Sequence, residues 1–244
     1  KRGALKFLDD TAVLIGYEAL DSADKARVYL CLETDAKPVK TGVLHTGNLD
    51  DSRHEVSGDS VSVALCFNVP DITIRYGISF ISEQQAEKNL RREINTYDVD
   101  EVAQAGRTIW NKTLSKISID GEDESAKSVF YTSLYRTCER PVDISEDGRY
   151  YSGFDHVVHD DEGTPFYIDD WIWDTYIIEP DMQRNIIKSF IKSAQQTPEG
   201  WMTTFPKITG DSHHMNGNHG VSVFVDAYVK GIRDFNLAEA YHAC

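Results

Sequence analysis

Between residues 11 and 81 apolar side chains recur at every second position, the period of a strand with one buried face. Val61, Val63, Leu65, Phe67 and Val69 alternate with Ser62, Ala64, Cys66 and Asn68. Ile72, Ile74, Tyr76, Ile78 and Phe80 alternate with Thr73, Arg75, Gly77 and Ser79. Pro70-Asp71 between these runs predicts a tight turn joining them. An earlier run, Ala26, Val28, Leu30 and Leu32, repeats the pattern, and residues 46–59 are rich in turn formers. Antiparallel strands at this density predict a β-sandwich or part of one.

At Ser82 the period becomes helical. Ser82 and Gln85 suit an N-cap and its capping-box partner, and Leu90, Ile94, Tyr97, Val102, Ile109 and Leu114 follow at spacings of one or two amphipathic helices. Further helices are predicted over 123–140, 182–196 and 219–233, separated by long loops at 141–168 and 198–218. Function is expected on those loops. The fold class is thus α+β: sheets first, then helices. Asn236 and Glu239 open a last helix that the sequence leaves after about two turns, without a stop signal, and no initiator Met or leader precedes residue 1. The expectation is a fragment of a longer protein.

Charge narrows the partners. With 25 Lys+Arg against 40 Asp+Glu the formal net charge is −15, and no basic run offsets it. Such a chain repels a phosphate backbone, so nucleic acid is not an expected partner. No apolar stretch is long enough to span a membrane. The four cysteines are widely spaced without a CxxC, which predicts reduced, mostly buried thiols rather than a disulfide framework.

Two segments carry candidate chemistry. In Phe166-Tyr-Ile-Asp-Asp-Trp171-Ile-Trp173-Asp174-Thr-Tyr176, two tryptophans and three carboxylates fall within six residues. Aromatic faces cover the C–H side of a pyranose while carboxylates accept from vicinal hydroxyls, so the mix suits a sugar. A solvated acidic loop with its tryptophans in the core fits the residues equally well. Residues 201–220, from Trp201-Met-Thr-Thr-Phe-Pro206 to Asn218-His219-Gly220, hold His213, His214 and His219. Three histidines with Asp211 nearby admit a zinc site, but the spacing is neither HExxH nor that of a zinc finger. A ligand-lining loop and a purely structural loop remain the main readings, and residues 218–220 would enter a helix whose free N–H groups add donors. The tyrosine-rich stretch 147–155 suits packing more than binding. Asn111-Lys-Thr113 matches a glycosylation acceptor within a predicted helix, a weak signal. GxSxG, P-loop and GxGxxG motifs are absent, so triad hydrolase and nucleotide readings lack support.

Taken in order, Phe130-Tyr-Thr-Ser-Leu-Tyr135, Asp147-Gly-Arg-Tyr-Tyr-Ser-Gly-Phe-Asp155, Ile172-Trp-Asp-Thr-Tyr176, Trp201-Met-Thr-Thr-Phe-Pro206, Met215-Asn-Gly-Asn-His-Gly220 and Val225-Asp-Ala-Tyr-Val-Lys-Gly231 resemble the opening of the catalytic domain of glycoside hydrolase family 92. The resemblance covers residues 120–244 through motifs and the earlier part through architecture only. It implies an N-terminal β-sandwich (1–82), a helical linker (83–119) and the first part of an (α/α)6 barrel (120–244). It also implies exo-acting, calcium-dependent, inverting hydrolysis of terminal α-linked mannose, of α-1,2 type, from glycans. By the same resemblance Trp173 and Asp174 bind the terminal mannose, and Trp201, His214, Asn218 and His219 lie on or near the pocket wall. The general acid, the general base and most calcium ligands have no counterpart in the sequence and are expected beyond Cys244, so this chain alone is expected to be inactive and to bind mannosides weakly. Many relatives carry an Arg soon after Trp-Asp-Thr where this chain has Tyr176-Ile-Ile-Glu179, which leaves linkage preference open. Removal of mannose from a phosphate ester, and non-catalytic carbohydrate binding, remain the alternatives. Compartment and oligomeric state are not legible.

Overall fold

The computed structural model describes residues 2–8, 13–121, 123–169, 180–214 and 219–244. The chain divides into two compact units, Lys1–Val102 and Ala103–Cys244. The division falls inside the segment expected to be a linker.

Among the described residues the first unit contains eight strands: β1 (Arg2–Phe7), β2 (Val13–Ala19), β3 (Arg27–Thr34), β4 (Lys40–His45), β5 (Asn48–Asp50), β6 (Glu55–Asp59), β7 (Val63–Cys66) and β8 (Ile74–Ser79). They form two antiparallel sheets, one of five strands in the order β6-β1-β2-β3-β8 and one of three in the order β5-β4-β7. The two alternating runs flanking Pro70-Asp71 do not pair as a hairpin. β7 pairs with β4 (Val43↔Val63), whereas β8 pairs with β3 (Leu32↔Tyr76). Asp35 supplies the reason: its N–H donates to the Thr73 carbonyl at 3.1 Å and its carboxylate accepts from the Thr73 N–H at 2.9 Å, which lands the chain beside β3.

The buried face of β8 is also the reverse of the one its apolar residues predict. Ile74, Tyr76 and Ile78 are exposed, while Ser79 is buried and Gly77 touches α1 (Glu83–Glu93). A Cβ on Gly77 would stand 2.5 Å from the Ala86 carbonyl oxygen and 2.8 Å from the Leu90 nitrogen. The close seat of α1 therefore requires glycine at this position, and it places Cys31, Ala86 and Leu90 in one core with Val13, Ile15 and Tyr29 packed around it. Burial pushes the Cys31 thiol up to about 11.

α1 begins as the sequence predicts. The Ser82 hydroxyl accepts from the Gln85 N–H at 3.1 Å, while the Gln85 amide donates to Asn89 at 3.1 Å. Immediately upstream the Ser79 hydroxyl accepts from the N–H groups of Ile81 (2.9 Å) and Ser82 (3.3 Å). A buried ion cluster fastens the helix to the sheet. Glu33 accepts from Arg75 Nη2 at 2.8 Å and Nε at 3.1 Å and from Arg91 Nη1 at 2.6 Å, and Arg75 lies over the Tyr97 ring at 4.3 Å. Burial alone would raise the Glu33 carboxyl, but the two guanidinium groups outweigh it and hold it below the ordinary value.

α2 (Val99–Leu114) follows, and then α3 (Glu124–Arg136), whose N-cap Asp123 accepts from the N–H groups of Ser125 and Ala126. The structure ends α3 four residues earlier than the periodicity suggests. The two long loops are not bare coil but carry short pairings, two in the loop after α3 and one in the later loop. β9 (Val142–Asp143) pairs with β12 (Tyr167–Ile168), β10 (Arg149–Tyr151) with β11 (Val158–Asp160), and, further on, β13 (Pro206–Lys207) with β14 (Gly210–Asp211). α4 (Pro180–Gln195) buries Ile186, Ile187, Phe190, Ile191 and Ala194 against Phe224 and Ala227 of α5 (His219–Val229) and Ala240 and Ala243 of α6 (Leu237–Ala243). Asn236 caps α6 through the N–H groups of Ala238 and Glu239. All four thiols are free, but only Cys31 is buried; Cys66, Cys138 and Cys244 are exposed, against the expectation of mostly buried thiols.

Candidate functional site

The helical core formed by α4, α5 and α6 is the platform on which the loops stand. Residue 169 is brought to it by β12: the Tyr167 N–H donates to the Ser189 hydroxyl at 2.9 Å, and Ser189 in turn donates to the Asn185 carbonyl at 2.8 Å. A polar side chain in the buried stripe of α4 thus holds a loop strand rather than standing unpaired. The Asp169 N–H then donates to the Pro206 carbonyl at 2.8 Å, tying the stem of the Trp171–Asp174 motif to the segment that follows Trp201. Asp169 has φ 58°, a left-handed conformation sparsely populated by non-glycine residues, at the last described position before that motif. Its carboxylate stands 3.6 Å from Arg140.

A third segment closes on the same place. A Cβ on Gly153 would lie 2.3 Å from the Ile208 carbonyl oxygen and 2.4 Å from the Gly210 nitrogen, so backbone meets backbone there. The tyrosines upstream of it pack, as the sequence suggests. Tyr150 stacks on Phe166 with centroids 3.9 Å apart and planes 6° apart. Gln196 joins this stack to α4 by donating to the Tyr150 hydroxyl at 2.7 Å and accepting from the Ser152 hydroxyl at 2.8 Å. Burial raises the Tyr150 hydroxyl above its ordinary value and keeps it protonated. On the rim, His159 faces Asp155 at 2.8 Å and Tyr151 faces His156 at 3.1 Å.

The 201–214 loop is held from both ends. The Met202 N–H donates to the Ala243 carbonyl at 2.8 Å, and the Met202 side chain is buried among the helices. The adjacent Trp201 is 73% exposed. Asp211, whose side chain is 8% exposed, accepts from the Thr204 N–H at 2.7 Å, the Thr204 hydroxyl at 2.8 Å, the Phe205 N–H at 2.9 Å and the His213 N–H at 3.1 Å. Burial would raise its carboxyl, but these donors together hold it below the usual carboxylate range. Both of its oxygens are engaged with the loop, so the metal-donor role considered for it from sequence has no support in this arrangement. Among the described residues no group of three or more His, Cys, Asp or Glu is placed to hold a metal ion.

Of the residues singled out from sequence, Trp201 and His214 are exposed on this loop and His219 is the first residue of α5, partly buried. A Cβ on Gly220 would come within 2.7 Å of the Met202 side chain, so the first turn of α5 and the 201–214 loop are in direct contact. Trp173, Asp174 and Asn218 lie outside the described residues. The bracing roles of Ser189, Gln196, Gly153 and Asp211 escaped the sequence reading, which weighed Asp211 only as a metal donor. A polar position inside the apolar stripe of α4 was the available signal for Ser189.

Antiparallel sheets followed by helices, with a loop bearing Trp201 and two histidines braced on the helices, form the arrangement that the resemblance to a glycoside hydrolase implies. Residues 85–244 match the glycosyl hydrolase family 92 catalytic domain, and the chain belongs to that family. It is similar to a family 92 inverting mannosidase of Bacteroides thetaiotaomicron, at TM-score 0.86 and 26% identity over 99% of this chain and 35% of that one. A second family 92 α-mannosidase of the same organism aligns at TM-score 0.87 and 21% identity, covering 100% of this chain and 35% of that one, and has also been solved with mannoimidazole. An uncharacterized secreted glycosidase of Arthroderma benhamiae is 27% identical over 172 residues, 67% of this chain and 18% of that protein. The chain thus spans about a third of the length of the solved relatives and less than a fifth of the curated one. The order of N-terminal sheets and following helices is the one those structures share.

Proposed function

We propose that the complete protein carrying this chain is an exo-acting α-mannosidase that removes terminal α-linked mannose, of α-1,2 type, from glycans with inversion. The observation that carries the reading is the family match over residues 85–244, together with a likeness over nearly the whole chain to a structure described as an inverting mannosidase. In this reading residues 1–82 belong to a β-sandwich, residues 83–119 link it onward, and residues 120–244 begin an (α/α)6 barrel.

Within that scheme this chain contributes binding rather than proton transfer. By the family resemblance Trp173 and Asp174 bind the terminal mannose, as an indole and a carboxylate suit a pyranose's C–H side and hydroxyls, and Trp201 belongs to the pocket wall. His214, Asn218 and His219 complete the wall. Inversion needs an acid at the leaving oxygen and a base on the opposite face about 6.5–9.5 Å away, so that a water fits between base and sugar. Those carboxyls are assigned to segments following Cys244. Among the described residues no group of three or more His, Cys, Asp or Glu is placed to hold a metal ion. By the family resemblance, calcium is expected, with most of its ligands outside this chain.

The test is to incubate the complete protein with an α-1,2-mannobioside and follow the anomeric proton of the first product by NMR. β-Mannose is expected first, with release abolished by chelator and restored by calcium. No release, or α-mannose as the first product, would refute the proposal.

A further inference from the structure

We infer that Asp211 is a positioning residue for the sugar-binding wall, acting through the two stretches of loop it holds together. The inference rests on the mannosidase reading above and adds to it a residue that touches no sugar.

Two candidate wall residues, Trp201 and His214, lie at opposite ends of one loop, and both are exposed, so neither is fixed by its own burial. Upstream, Met202 is anchored to α6 through Ala243, and the next side chain is packed but adds no hydrogen bond, the Thr203 hydroxyl being buried and unbonded. What fixes the stretch from there is Asp211, which takes the Thr204 N–H, the Thr204 hydroxyl and the Phe205 N–H. The same carboxylate takes the His213 N–H, and His213 has φ 51°, a conformation that non-glycine residues keep only when their surroundings impose it. His213 Nδ1 stands 3.6 Å from the carboxylate as well. One buried side chain therefore sets the relative placement of the stretch leaving Trp201 and the stretch entering His214. β13, just beyond Phe205, is in turn bonded through Pro206 to Asp169, so the same brace reaches the stem of the Trp173–Asp174 motif.

Four donors converging on one carboxylate cannot be matched by a carboxamide, which has one acceptor oxygen and would turn its NH2 toward N–H groups. Asp211→Asn should thus loosen the loop while leaving the helical core in place. A wall that binds the sugar equally in ground and transition states would then show its loss in KM rather than kcat.

The experiment measures kcat and KM for mannose release by the complete protein as wild type, Asp211→Asn and Thr204→Ala. Backbone hydrogen exchange of residues 201–214 is followed alongside. Asp123→Ala, at the cap of α3, is the control and should match wild type in both constants. Asp211→Asn is expected to speed exchange at Thr204, Phe205 and His213 and to raise KM about tenfold or more with a smaller change in kcat. Thr204→Ala, which removes one donor of the four, should shift KM in the same direction by a lesser factor and keeps the test decisive if Asp211→Asn does not fold. Faster exchange with wild-type KM in either folded variant would overturn the inference, reducing Asp211 to a brace of the fold while the mannosidase reading stands. A wild type that releases no mannose would overturn both.

Discussion

Trp201 separates two demands that usually coincide. Its neighbour Met202 is buried in the helical core, yet the indole itself is 73% exposed, so the backbone is fixed for reasons of packing while the ring is free to meet something else. A large exposed aromatic on a braced loop contributes little to folding and much to contact. Trp201→Ala in the complete protein is expected to raise KM for a mannoside about tenfold, as loss of roughly 1.4 kcal/mol of stacking requires. It should change unfolding free energy by no more than about 0.5 kcal/mol. Paired kinetics and urea melts check both numbers; wild-type KM would remove Trp201 from the wall. At this scale the sequence announces what contacts ligand better than what supports it. Tryptophans beside carboxylates and clustered histidines stand out by residue type. Asp211 is one acidic residue among forty Asp+Glu, and only the fold shows four donors converging on it.

Among the elements, Glu33 of β3 ties β8 and α1 together by accepting from Arg75 and Arg91. Its side chain is 6% exposed and its partner Arg75 is 12% exposed, so removing the carboxylate leaves a buried guanidinium without its counter-charge, held by the Ile94 carbonyl and the Tyr97 ring. Glu33→Ala is expected to cost about 3 kcal/mol in chemical denaturation, the range for breaking a buried pair from one side. The pH dependence has a definite sign. The folded carboxyl sits below its unfolded value near 4.3, so its contribution is fully present above that pH and is lost as pH falls through the folded value. Wild type should therefore lose stability below about pH 4.3 more steeply than Glu33→Gln does, as acid-titrated urea melts would show. Equal slopes would mean the pair carries no linkage. The helices of both units and the strand-rich start were legible because periodicity survives tertiary packing. Which strands pair was not, because Pro70-Asp71 reads as a hairpin turn while Asp35 directs the following strand to a different sheet. The buried face of β8 was misread for a related reason: alternation identifies two faces, but α1 seats on the one bearing Gly77, the smaller residue.

For the whole molecule, α2 and α3 each have no buried residue, although Val99, Ile109 and Val129 are more than 60% exposed. Amphipathic helices with uncovered apolar stripes attract dyes and one another. The 244-residue chain expressed alone is expected to enhance the fluorescence of 8-anilinonaphthalenesulfonate and to sediment faster than a monomer. A non-binding monomer would show that these stripes are covered in solution. A different consequence follows from the joint between β8 and α1. Ser79 accepts from Ile81 and Ser82, and Ser82 caps the helix three residues later, so strand and helix meet without slack. One residue inserted there would rotate α1 by about 100° and carry Ala86 and Leu90 away from Cys31. Natural length variation in this lineage is therefore expected to accumulate in the turn-rich residues 46–59 and to spare residues 79–82.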